Sequence, residues 1–202
     1  MRLRPALATL LLSSALVSPL LVAGAAHAET WSHRDAVRDV VAVSYVDDDM
    51  EMTPAPRNRR ADVRRITVDH GAEELRITMR LRRLTGGNKI VTSTVRSSGR
   101  SIAHASLVRG DGKNHLDVQA FEEDGVVRCR GAEGVFRPRR DTVTLTIPTT
   151  CLGEPDWVRV QALYATFSND PSTDTAMMDD PLRRDFRSLT RNGWSPRIHV
   201  GS

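Results

Sequence analysis

Aromatic side chains are scarce in this chain, with four Phe, three Trp and two Tyr among 202 residues. Carbohydrate platforms stack sugars on exposed aromatic faces, and only Trp31 and Trp194 are candidates for that work; pinning the two chain ends to the fold is their competing role. Lysine is nearly missing too: of 29 basic residues, only Lys89 and Lys113 are lysines. A GC-rich genome produces such an arginine bias without any selection for bidentate phosphate binding, so abundance alone assigns arginine no function. The formal charge of +4 falls to +2 without Arg2 and Arg4, because acids are scattered among the remaining arginines. That is not the footprint of a nucleic-acid binder.

Catalytic signatures are absent. There is no GxSxG elbow, no HExxH or other zinc spacing among His33, His70, His104, His115 and His199, and no CxxC pair. His70 reads as a turn residue and His115 as the start of a strand, ordinary places for a surface or hydrogen-bonded imidazole. Ser97 to Ser101 reads as a turn between strands. Glu73, Glu74, Glu122 and Glu123 also fall in apparent turns, where nothing pairs them as the two carboxylates of a glycosidase.

What the chain does have begins at its N-terminus. Arg2 and Arg4, a mostly apolar run from Leu7 to Ala26, and the small-x-small sequence Ala26-His27-Ala28 predict a secretory signal over 1–28, cleaved before Glu29. Ser13, Ser14, Ser18, Pro19 and Gly24 interrupt the apolar run and no stop-transfer pattern follows, which argues against a retained membrane anchor. The remaining 174 residues, 29–202, suit one domain with a full core. Cys129 and Cys151, an even count in an exported chain, predict a structural disulfide closing a 22-residue loop. Chain entropy assigns such a loop about 3 kcal/mol of stability.

Period-two alternation is the strongest pattern after the signal. In Leu75 to Arg82, apolar residues alternate with Arg76, Thr78, Arg80 and Arg82, giving one core face and one wet face. Arg65 to Asp69 repeats the pattern, and the turn His70-Gly71-Ala72-Glu73 joins the two runs into a hairpin. Further strands are expected over Val37 to Tyr45, Ile90 to Val95, Ile102 to Val108, His115 to Phe121, Gly125 to Arg128, Thr142 to Ile147 and Trp157 to Thr166. Many short strands with turn signals between them predict an all-β, antiparallel β-sandwich of jelly-roll-like kind. Pro148 to Gly153 and Asp179 to Leu189 are expected to make at most short helical turns. Asp47 to Arg60 and Ser168 to Asp180 read as long loops, where function usually sits.

Three segments carry a resemblance: Arg60 to His70, Ile147 to Val160, and Gly193-Trp194-Ser195-Pro196-Arg197-Ile198. They resemble a group of small exported actinobacterial proteins of unknown function, across most of the chain after the signal, which implies export and a disulfide-bonded sandwich. More distantly, the Asp-Val start followed by an alternating hairpin is similar to sandwich domains of the family 9 carbohydrate-binding-module type, which would imply sugar or calcium binding.

Two constellations stand out as candidate sites. Arg76, Arg80 and Arg82, beside Arg64 on the neighbouring strand, would make a cationic sheet face able to attract an anionic cell-wall polymer or glycan; solvated arginines paired with neighbouring carboxylates are the plainer account. Asp47, Asp48 and Asp49 in one loop, and Asp174, Asp179 and Asp180 in the other, would offer hard oxygen ligands to Ca²⁺ if the loops meet, although neither matches an EF-hand. The expectation is therefore a secreted, non-catalytic binding module with no resident cofactor unless Ca²⁺. Its partner would be a wall polymer, glycan or extracellular protein, with no nucleic acid and no membrane span after cleavage. An exported hydrolase with loop-borne catalytic residues is the rival from another class.

Overall fold

A computed structural model describes residues 29–46, 49–99, 102–122, 125–168, 175–183 and 193–201. Two antiparallel sheets face each other. The first comprises β1 (Glu29–Arg34), β4 (Val63–His70), β5 (Glu74–Leu81), β11 (Thr142–Pro148) and β10 (Glu133–Arg137), side by side in that order. The second runs β3 (Asp49–Pro54), β2 (Val41–Val46), β13 (Thr175–Asp179), β12 (Trp157–Phe167), β6 (Lys89–Ser97), β7 (Ile102–Gly110), β8 (Lys113–Glu122) and β9 (Gly125–Arg128). The two-residue strand β14 (Ile198–His199) pairs with the beginning of β12, and β13 with its end.

Alternation builds the core as expected. Leu75, Ile77, Met79 and Leu81 of β5 point inward and are buried, as are Ile66 and Val68 of β4 and Leu145 and Ile147 of β11. They meet Val91, Val95, Leu107, Val158 and Val160 of the second sheet in one apolar cluster. Each such side chain contributes about 1.5–3 kcal/mol by leaving water. The disulfide joins Cys129, just after the edge strand β9, to Cys151 in a 3-10 turn at Thr149–Leu152 that follows β11, and so ties the second sheet to the first.

The structure corrects several boundaries. The expected strand over Val37 to Tyr45 starts only at Val41, and both expected long loops contain strands, β3 and β13. β3 looked like a loop because it is a polar edge strand, Asp-Met-Glu-Met-Thr-Pro, exposed almost throughout; a proline is tolerated at such an edge. Asp179 closes β13 rather than opening a helix, and 184–189 lie outside the described residues. His70 is not a turn residue: it ends β4, fully buried, and the turn is 71–73.

Candidate functional site

The predicted arginine face does not form one ladder. β4 carries a bulge between Val63 and Arg65, which makes Arg64 the extra residue and sets Arg65 opposite Arg80. Arg64 serves through its backbone, its carbonyl accepting the Asp35 N–H at 3.2 Å. Arg76 is ion-paired with Glu74 on its own strand and lies opposite Asp69, so its charge is locally answered. Arg82 leaves the sheet face altogether: half-buried, its Nη1 stands 3.3 Å from Oδ2 of the buried Asp62.

A different row emerges from the register. Arg34, Arg65, Arg80, Thr142 and Arg137 are successive cross-strand neighbours on the outer face of the first sheet. At about 4.8 Å per strand the row is roughly 19 Å long. Like charges opposite one another are destabilising, so such a row favours an external anion. Beside it runs a hydroxyl row, with Ser32 3.2 Å from Thr67 and Thr78 3.3 Å from Thr144.

At the end of β5, where Arg82 follows Leu81, lies an arginine-lined cleft. Arg38, Pro56, Arg57, Arg59 and Arg82 enclose about 480 Å³, and Arg57, Asn58, Arg59, Arg60 and Arg83 bound an adjoining depression of about 310 Å³. The 55–62 segment that presents three of these arginines is pinned from beneath. Ala55 N–H donates to the Val40 carbonyl at 2.7 Å, and the Asn58 side chain accepts the N–H groups of Arg60 and Ala61 at 2.9 and 3.0 Å. This is an Asx-type turn. Among the described residues, the ion pairs are Arg76–Glu74, Arg82–Asp62 and Arg128–Asp117, which leaves Arg38, Arg57 and Arg59 without a carboxylate partner there.

Near the cleft lie buried acids. Asp179 is fully buried and its Oδ2 accepts the Val63 N–H at 2.7 Å; Asp35 is buried and its Oδ1 accepts the Ala36 N–H at 2.7 Å. Burial first, then the neighbouring charges of Asp179 and Asp39, pushes the Asp35 carboxyl up to about 10; burial and the charge of Asp39 raise Asp179 well above the usual carboxylate range. Asp180 is raised by burial but steadied by the N–H groups of Gly193 and Leu182, at 2.9 and 3.0 Å. Gly193 must be glycine, since a Cβ there would lie 2.5 Å from the Leu182 carbonyl oxygen.

Of the acids expected to converge, Asp49 and Asp179 stand apart. Asp49 is exposed at the β3 terminus opposite Val46, while Asp179 follows Met178, which pairs with Val41 at the other end of β2. Five residues of strand, about 17 Å, separate the two positions. Asp47, Asp48 and Asp174 lie outside the described residues. Asp179 instead meets Asp35 and Asp39.

Other candidates have structural duties. Ser195 is buried; its hydroxyl accepts from the Val160 N–H at 2.9 Å and donates to the Pro196 carbonyl at 2.8 Å, so it is committed as a strand-like patch on β12. Trp194 lies under the guanidinium groups of Arg96 and Arg159, at 5.3 and 5.7 Å, and Trp31 packs against the core and stacks on His33. Both terminal tryptophans pin chain ends. Trp157 is covered by Arg197 at 4.5 Å. No helix among the described residues is long and apolar enough to cross a membrane. No family model, curated protein or solved structure matches the chain.

Proposed function

We propose that this is an exported, non-catalytic module that holds an anionic polymer of the cell surface, bearing phosphate or carboxylate groups, in the cleft of Arg38, Arg57, Arg59 and Arg82. The observation that carries the reading is a built cleft whose walls present guanidinium groups, three of them without a carboxylate partner among the described residues. Guanidinium forks match phosphate and carboxylate oxygens bidentately. The row Arg34, Arg65, Arg80 and Arg137 extends the same charge along the sheet, as suits a polymer rather than a small anion. Export is supported by the predicted signal over 1–28 and by the Cys129–Cys151 disulfide, which persists in oxidising compartments.

The test is co-sedimentation of the oxidised protein with purified, anionic cell wall at low and moderate salt. Salt-sensitive pelleting is expected, because exposed charges separated by more than about 8 Å are screened at physiological ionic strength. Replacing Arg38, Arg57 and Arg59 together by Ser should weaken binding about tenfold or more, whereas unchanged affinity in a folded triple variant overturns the assignment.

A further inference from the structure

Three carboxylates from distant parts of the chain share one buried place. Asp35 and Asp39 come from the connection between β1 and β2, Asp179 from the end of β13, and one oxygen of each lies within 4.8 Å of the others. Asp35 is 4% exposed and Asp179 0%. In both, a backbone N–H fixes one oxygen and leaves the second, Asp35 Oδ2 and Asp179 Oδ1, buried without a hydrogen-bond partner among the described residues. Oδ1 of Asp62, whose other oxygen meets Arg82, is in the same condition. Buried carboxyls with unpartnered oxygens either take up protons or are held charged by a cation that coordinates them.

We propose that Asp35, Asp39 and Asp179 form a divalent cation site that takes Ca²⁺. The donors are hard carboxylate oxygens, with no thiolate or imidazole in the group to favour zinc or copper. The oxygens lie within 4.8 Å of one another, inside the span of two Ca–O bonds of about 2.4 Å each, and Ca²⁺ tolerates irregular oxygen geometry where Mg²⁺ demands a near-ideal octahedron and keeps several waters. A cation here clamps the segment leaving the first sheet to the end of β13 in the second, near the arginine cleft but without drawing on its side chains. The site therefore stands or falls independently of the polymer reading.

The experiment is a thermal melt of the full oxidised chain in about 10 mM CaCl₂ against a chelator, roughly tenfold above the weakest extracellular calcium affinities. Mass action then predicts a rise in melting temperature of about 3–6 °C, with a smaller rise in Mg²⁺, and Asp39→Asn and Asp35→Asn should each abolish it. Calorimetric titration of the unaltered chain should show one equivalent. If neither variant folds, hydrogen exchange of the unaltered chain replaces them, with calcium-dependent protection expected at 35–40 and 176–180. No shift and no binding heat, a shift that survives both substitutions, or protection confined elsewhere overturns the proposal.

Discussion

The two ends of the first sheet are finished in opposite ways. Where β4 runs into β5, the chain closes on itself: Thr149 donates its hydroxyl to the Ala72 carbonyl at 2.6 Å and its N–H to the Glu73 carbonyl at 2.9 Å, and Cys151 beside it is bonded to Cys129. At the other end, where β4 begins and β5 finishes, guanidinium groups surround a cleft, and Asp35, Asp62 and Asp179 lie buried near it, each with one oxygen that no described residue answers. One end is completed by bonds made within the molecule. The other is arranged as though completion comes from outside, which is where a ligand gains most for the least rearrangement.

If that contrast holds, cutting the closed end should cost stability and spare binding. Replacing both Cys129 and Cys151 by Ala is expected to remove about 3 kcal/mol, lowering the melting temperature by about 6–12 °C for a domain of this size. Polymer pelleting below the new transition should be unchanged. A folded double variant that no longer binds would show that the two ends are coupled, and the comparison would fail.

Acid sharpens the same contrast through His70. Its Nδ1 lies 3.0 Å from the Ile198 carbonyl, an acceptor, so Nδ1 carries the proton and the buried Nε2 has no hydrogen-bond partner among the described residues. Burial holds the imidazole below the usual histidine range, and His199 pushes the same way, against the Ile198 carbonyl and Glu29. The unfolded chain therefore takes up this proton more readily than the fold does. The stability contributed by neutral His70 is complete above about pH 6.5 and is lost as pH falls through that value towards the folded pKa. Because the raised carboxyls of Asp35 and Asp179 push stability the opposite way over this range, the His70 contribution is read as a difference: from pH 7.5 to 5 the parent should lose stability relative to His70→Gln, and a gap between the two that does not change with pH would assign the effect to other groups.

How far the sequence revealed these ends depends on the range of the interactions. Strands β4 to β8, β11 and β12 are legible because each buries one face, and burial of one face writes a period of two into the residues themselves. The disulfide is legible because the chain has only two cysteines. β3 and β13 are hidden: an edge strand such as Asp49–Pro54 has no buried face to impose alternation, and Thr175–Asp179 is short and follows a polar stretch. At the charged end, Asp179 and Asp180 were picked out as acids, but their partners were not. Asp35 and Asp39 each follow an arginine and read as solvated pairs, and nothing local distinguishes a carboxylate that the fold will bury from one it will leave in water. Arg57 and Arg59 lie in a segment that reads as plain loop, and nothing local marks them either.

The smallest effect is the most discriminating for the arginines. Arg76 belongs to the alternating pattern that made the sheet face look like a binding surface, yet it is paired with Glu74, both side chains are about half exposed, and Asp69 stands across the strand. Exposed pairs of this kind contribute at most about 1 kcal/mol, and much of the field of Arg76 is already cancelled by its neighbours. Arg76→Ser should therefore shift stability by less than about 0.5 kcal/mol and leave wall binding within about twofold of the parent. The Arg38, Arg57 and Arg59 substitutions remove charge that no described carboxylate opposes. If Arg76→Ser weakens binding as much as the cleft variant does, the polymer lies along the middle of the sheet, and the cleft is only the place where arginines happen to be crowded.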